Sequence, residues 1–142
     1  MDKLPEFIAN HPLLVLAFAG LVAALIFTEV ARRFRGFKQV GPALATQLIN
    51  RENAAVVDVS ATADYHSGHI VNARNVPLSQ LDGNSKALAK LKNKPVIVCC
   101  RTGQTSSQAC AKLVKAGFES VYQLTGGVAA WKSENLPLVK GK

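Results

Sequence analysis

The sequence predicts an α/β domain with a central, mainly parallel sheet flanked by helices, preceded by one N-terminal transmembrane helix. Three observations predict it. First, Pro12 to Phe27 carry no charged or strongly polar side chain, and the uncharged stretch runs from Phe7 to Thr28, enough residues to cross a bilayer as a helix. Second, short apolar runs alternate with helix-like segments throughout the rest of the chain. Third, one of those runs, Pro95-Val96-Ile97-Val98-Cys99, is apolar at every position, as expected of a strand buried on both faces. The 142 residues therefore divide into an anchor with a basic flank, 1–35, and one modest domain, 36–142.

The anchor is read as uncleaved. Its start, Met1-Asp2-Lys3-Leu4-Pro5-Glu6, lacks the positive excess of a signal peptide, and Ala43-Leu44-Ala45, the nearest cleavage-like site, lies beyond the charged flank. Arg32, Arg33, Arg35 and Lys38 follow the apolar run, against Lys3 alone before it. The positive-inside rule then places the N-terminus outside the membrane and the domain in the cytoplasm. The basic residues also suit anionic lipid head groups.

The elements of the domain follow in order. A short strand is expected near Lys38–Val40. Pro42 opens a helix with Leu44, Leu48 and Ile49 on its apolar face, closed by Asn50–Asn53. Ala54–Val59 is strand-like, broken by the carboxylate of Asp58. Thr62–Ser67 reads as a short helix stopped by Gly68, and Ala73–Val76 as a strand stopped by Pro77. Ser85–Leu91 is a helix with an exposed lysine face. Ser106–Ala116 is a helix with Ala109, Cys110, Leu113 and Val114 inward, ended by Gly117. Val121–Leu124 is the last strand, and a helix after Gly126-Gly127 carries Val128 and Trp131 to the core.

The net charge of +8 is shared between the anchor flank and scattered lysines. No stacking aromatics or nucleic-acid motif accompany them, so nucleic-acid binding is not expected. Three cysteines do not make a disulfide framework, which fits a reducing compartment. His66 and His69 are three apart but have no third ligand nearby in sequence, so a structural hydrogen-bonding role is read for them and no metal is expected.

The chemistry centres on Cys100. It ends the apolar strand and opens the loop Cys100-Arg101-Thr102-Gly103-Gln104-Thr105, ahead of the helix from Ser106. Loop N–H groups and the helix dipole favour a thiolate there, and they would also hold an anion on the sulfur. Arg101 is the candidate anion guide. Gly103 lets the loop curl, and the hydroxyls of Thr102, Thr105 and Ser106 are candidate donors. Cys99 alternates to the opposite face and is assigned to the core, as is Cys110. Asp58 is expected to hold either loop N–H groups or Arg74.

These blocks together resemble the single-domain rhodaneses, a sulfurtransferase family. Val56-Val57-Asp58-Val59 with Asp64-Tyr65 and Gly68-His69-Ile70 resembles the first signature, and Ala73-Arg74-Asn75-Val76-Pro77 continues it. Val96–Cys100 with its loop resembles the active-site block, and Leu124-Thr125-Gly126-Gly127-Val128 with Ala130-Trp131 the last one. The resemblance covers nearly all of 38–142, and with the anchor it extends to small bacterial membrane-anchored members. It implies Cys100 as nucleophile, 101–106 as the substrate and persulfide loop, and Asp58 and Arg74 in support. The pattern Cys-Arg-x-Gly-x-Thr implies thiosulfate or a similar sulfur donor, a thiol or cyanide acceptor, and no cofactor. Ser60 departs from the family's usual arginine, with an expected effect on stability or surface recognition.

Two other classes compete. A cysteine phosphatase or arsenate reductase would need arginine at position 106, where this chain has Ser106. A non-catalytic module docking an integral-membrane protein partner would be free to lose Cys100, which is kept here with Arg101 beside it.

Overall fold

The computed structural model describes residues 3–33, 36–82 and 86–141, the side chains at 32 and 33 excepted. The side chains of Arg32 and Arg33, all of Arg35, and Ser85 as a helix start lie outside what is described. The chain forms two compact units, residues 1–35 and residues 36–142.

The first unit holds α1 (Lys3–Asn10) and α2 (Pro12–Arg33). Pro12 has no N–H to continue α1, so the break falls just before it, at His11. Within α2, Pro12–Ala31 is long and apolar enough to cross a membrane, and large apolar side chains such as Leu13, Phe18 and Phe27 are exposed.

The second unit runs β1 (Lys38–Val40), α3 (Pro42–Glu52), β2 (Ala55–Asp58), α4 (Thr62–Ser67), β3 (His69–Ile70), β4 (Arg74–Asn75), a 3-10 turn at Leu78–Gln80, α5 (Lys86–Ala89), β5 (Pro95–Cys99), α6 (Gln104–Lys115), β6 (Ser120–Leu124), α7 (Gly127–Ser133) and β7 (Leu138–Val139). Five strands form one sheet in the order β1-β6-β5-β2-β4, every pairing parallel. From β2 the chain steps outward to β4 and later returns to β5 on β2's other side. The carboxyl ends of β2 and β5 are therefore the switch point at which such sheets form sites.

Both faces of the sheet are covered. Val56, Ile97, Cys99 and Leu124 join Ala45, Leu48, Tyr65 and Trp131 in one core cluster. Val57, Val96, Val98 and Cys100 join Leu88, Ala109, Cys110 and Leu113 in the other. The strict alternation along Val96–Cys100 shows why an unbroken apolar run was needed there: each face of β5 meets its own layer of helices.

Several boundaries differ from the sequence reading. Leu48 is buried as expected and Ile49 packs beside it, but Leu44 is 48% exposed, and Pro42 and Ala45 take its place on the core face of α3. Val114 is only partly buried. Val121–Leu124 is not the last strand. β7 pairs antiparallel with β3 in a separate two-stranded ribbon, with Ile70 opposite Leu138. Two residues per strand are too few to leave an alternation signal. α6 starts at Gln104, two residues before the expected Ser106, so the second half of the loop is its first turn.

Candidate active site

Cys100 immediately follows β5 and sits 3% exposed at the floor of a cleft of about 290 Å³. Val59, Ser60, Asp64, Leu78, Arg101 and Thr105 contribute to the walls. The loop is bent into shape from both ends. Gly103 takes φ +96° at the N-cap of α6, a left-handed conformation that L side chains rarely adopt. There its N–H donates to Cys100 Sγ at 3.0 Å. On the outer side, the carbonyls of Cys100 and Arg101 accept from the N–H groups of Val128 (2.9 Å) and Ala129 (3.1 Å). With these carbonyls bound outward to α7, the N–H groups that follow are left facing in.

Gly127 makes that contact possible. A Cβ on it would lie 2.2 Å from the Cys100 carbonyl oxygen and 2.7 Å from that of Arg101, and its φ is +61°. A side chain at this position would push α7 away from the loop.

These contacts set the state of the thiol. Burial by itself opposes a thiolate at Cys100. The Ser106 N–H and hydroxyl and the N–H groups of Gly103 and Thr105 outweigh it, and the pKa falls below the ordinary thiol value. The two other cysteines move the opposite way. Burial, with lesser contributions from Asp58 and Cys100, pushes Cys99 well up, and burial with the Cys100 charge pushes Cys110 to about 12. Both are completely buried, Cys99 on the opposite face and Cys110 in α6.

The remaining sequence-predicted residues separate into three groups. Thr105 and Ser106 meet the sulfur, whereas Thr102 and Gln104 are exposed on the loop's outer side. Arg101 lies on the rim with its Nε 3.4 Å from Asp64 Oδ1, and its Nη2 donates to the Asp64 carbonyl and the Ser67 hydroxyl. Arg74 and Asp58 are not brought together: Arg74 Nη1 donates to the Ala87 carbonyl at 3.2 Å. Asp58 instead accepts from the Ser60 N–H at 2.9 Å, while Asn75 Nδ2 ties the carbonyls of residues 58 and 60. That work is local: it fixes the turn after β2 that walls the cleft. Asp58 Oδ2 and Ser60 Oγ are buried without a protein hydrogen-bond partner.

His69 is structural, whereas the His66 side chain is exposed. His69 Nδ1 lies 2.8 Å from the Tyr65 carbonyl, which can only accept, so that nitrogen carries the proton. Its ring stacks on Tyr65 at 3.7 Å, and Tyr65 Oη donates to the Ala73 carbonyl at 2.6 Å. Among the described residues no group of three or more His, Cys, Asp and Glu could hold a metal ion.

Sequence reasoning passed over Gln123. It is 6% exposed on β6, and its Nε2 donates to the Gly103 carbonyl at 2.7 Å and to Ser106 Oγ at 3.1 Å. The available signal was a polar residue two positions from Val121, on the same inward face of a strand.

A lone thiol cradled by N–H groups at the carboxyl end of a central parallel strand defines a cysteine-centred α/β domain built to hold an anion on sulfur. The chain belongs to the rhodanese-like domain family, whose pattern matches residues 42–134. It is 38% identical over the full length of both chains to Uncharacterized protein YibN of Escherichia coli (strain K12). It is 32% identical over 99 residues, 70% of this chain and 91% of the relative, to Thiosulfate sulfurtransferase GlpE of Coxiella burnetii. Among solved structures, a rhodanese-related protein from Thermoplasma volcanium superposes with a TM-score of 0.64 at 27% identity, covering 74% of this chain and all of the other. A thiosulfate sulfurtransferase from Pseudomonas aeruginosa gives 0.65 at 26% identity, covering 74% of this chain and 20% of that one.

Proposed function

We propose that the chain is a membrane-anchored sulfurtransferase that moves the sulfane sulfur of thiosulfate, or of a similar donor, to a thiophilic acceptor through a persulfide on Cys100. The observation that carries this reading is the sulfur of Cys100 at the cleft floor, with a lowered pKa and the N–H groups of Gly103, Thr105 and Ser106 directed at it.

The Cys100 thiolate attacks the outer sulfur of thiosulfate. The S–S bond of the donor breaks, sulfite leaves with its electron pair, and a persulfide stays on Cys100. The terminal sulfur is anionic, and the loop N–H groups that favoured the thiolate hold it in turn. A thiolate, or cyanide in an assay, then attacks that outer sulfur and returns Cys100 as a thiolate. The two half-reactions give a ping-pong pattern. Arg101, at the rim, meets the incoming anion when it exchanges Asp64 for the donor's oxygens.

The test is to treat the detergent-purified chain with thiosulfate and follow sulfite by assay and Cys100 by intact mass. One sulfite and one added sulfur per chain are expected, and Cys100→Ser loses both. Equal signals from the two proteins would remove the proposal.

The apolar helix Pro12–Ala31 and the basic residues after it support an inner-membrane, single-pass placement with the N-terminus outside and the catalytic domain in the cytoplasm. In spheroplasts, added protease should leave the domain intact until lysis; cleavage before lysis would reverse the orientation.

A further inference from the structure

A second hollow, of about 360 Å³, borders the Cys100 cleft. Among the described residues Arg101 is the one that lines both, so its side chain stands between them. We propose that this groove docks the sulfur acceptor, that the acceptor is a small thiol carrying a carboxylate several bonds from its sulfur, and that Lys132 selects it.

The groove is built on the reactive loop itself. One wall is α7, which presents Val128, Ala129 and Lys132, three and four residues apart on one helix face. The N–H groups of Val128 and Ala129 are bound to the carbonyls of Cys100 and Arg101, so this wall cannot shift without the loop. Leu138 of β7 adds apolar surface. The loop supplies Arg101 and Thr102, and Thr102, which is exposed on the loop's outer side, brings a hydroxyl donor to the groove.

The charge of the groove is of one sign. Arg101 and Lys132 are its charged residues, and among the described residues no carboxylate lines it. Asp64, the partner of Arg101, lines the cleft instead. Lys132 is exposed, and among the described residues its ammonium has no ion-pair partner. Two cations around a short apolar floor suit a ligand with an anionic end and a carbon chain, and a hollow of this size takes a small molecule. The thiol of that ligand reaches past Arg101 to the outer sulfur of the persulfide. Its thiolate attacks that sulfur, the bond to Cys100 Sγ breaks, and the electron pair returns to Cys100. The acceptor leaves as a persulfide with its carboxylate unchanged. Cyanide makes the same attack but has no part that reaches the groove. The inference rests on transfer through Cys100 and adds which thiol takes the sulfur.

The experiment uses the full chain in detergent, loaded with thiosulfate and freed of excess donor. Loss of the added sulfur is followed by intact mass against the concentration of glutathione, of its diethyl ester, and of cyanide. Lys132→Glu should slow transfer to glutathione about 5-fold, the size of one exposed charge contact, and should slow neither the ester nor cyanide. Lys132→Met should fall in the same direction by less. Lys94→Glu, an equal charge change at the other end of β5, should leave all three rates as they are. A glutathione rate unchanged in Lys132→Glu overturns the proposal. So does an equal loss with cyanide, or an equal loss in Lys94→Glu. The groove is also read without turnover, by saturation-transfer NMR with S-methylglutathione, whose sulfur cannot react. Signal in the wild type that is lost in Lys132→Glu is expected, and no signal, or the same signal in both, overturns the proposal. Sulfite release during loading reports on the donor step separately. If no sulfite appears but S-methylglutathione binding depends on Lys132, the groove stands and the transfer reading falls.

Discussion

Cys99 and Cys100 share a side chain and a neighbourhood, yet their thiols titrate in opposite directions. Cys99 points from β5 into an apolar layer, where burial leaves the charged form without donors. Cys100 is nearly as enclosed, but it meets three N–H groups and a hydroxyl. Burial without donors makes a thiol inert, and burial with donors makes it a nucleophile. Cys100 should therefore be alkylated at half its maximal rate below the ordinary thiol pKa of about 8.5; a midpoint at or above that value in a pH series would contradict it. Arg101 is about half exposed and already paired with Asp64, so its contribution is reduced by solvent. Arg101→Ala should raise the KM for thiosulfate by roughly 5-fold, equivalent to about 1 kcal/mol, with little change in the turnover of bound donor. Steady-state kinetics separates the two terms.

At the scale of elements, the site is a meeting of two helix starts. α6 supplies the inward N–H groups, and α7 takes up the carbonyls that would otherwise face the same way. Gly127 is the hinge of this arrangement. Gly127→Ala adds a methyl group that collides with two loop carbonyls and a backbone that disfavours alanine. It should cost about 2–4 kcal/mol of stability in denaturant titration and reduce sulfur transfer even where folding persists. The paired glycines were legible in the sequence as a turn before a helix, but their target was not, since nothing local says that residue 127 touches residue 100. The early start of α6 was hidden for a similar reason. Gln104 and Thr105 read as loop by type, and the left-handed Gly103 that caps the helix carries no periodic signal.

At the scale of the whole domain, the buried thiols tie stability to pH. Cys110 holds its proton up to about 12 in the fold, while an unfolded thiol gives it up near the ordinary value. Cys99 is displaced in the same direction. Between those limits the folded state binds more protons than the unfolded one, so stability falls as pH rises. The contribution is fully present below the ordinary thiol range and is lost as pH climbs toward 12. Unfolding midpoints should thus decline above about pH 9, and Cys110→Ala should flatten part of that slope once its own packing cost is subtracted. A slope unchanged in that variant would count against a protonated buried thiol at 110.

The sequence by itself determined the α/β class, the parallel sheet, the apolar helix and the thiol at the end of β5. Each of these is written in a local pattern: an apolar run, a helical spacing, a cysteine before a glycine-bearing loop. Only the tertiary structure decided that α7 would brace the loop, that Asp58 would fasten its own turn rather than Arg74, that β3 and β7 would pair, and that Gln123 would stand behind Ser106. In the β3–β7 ribbon those contacts join residues as far apart in sequence as His69 and Val139, and their partners are chosen by the shape of the packed core. Local pattern selects the elements because side-chain periodicity is a property of a short segment; which polar groups meet across elements depends on how the layers stack, and no short segment encodes that.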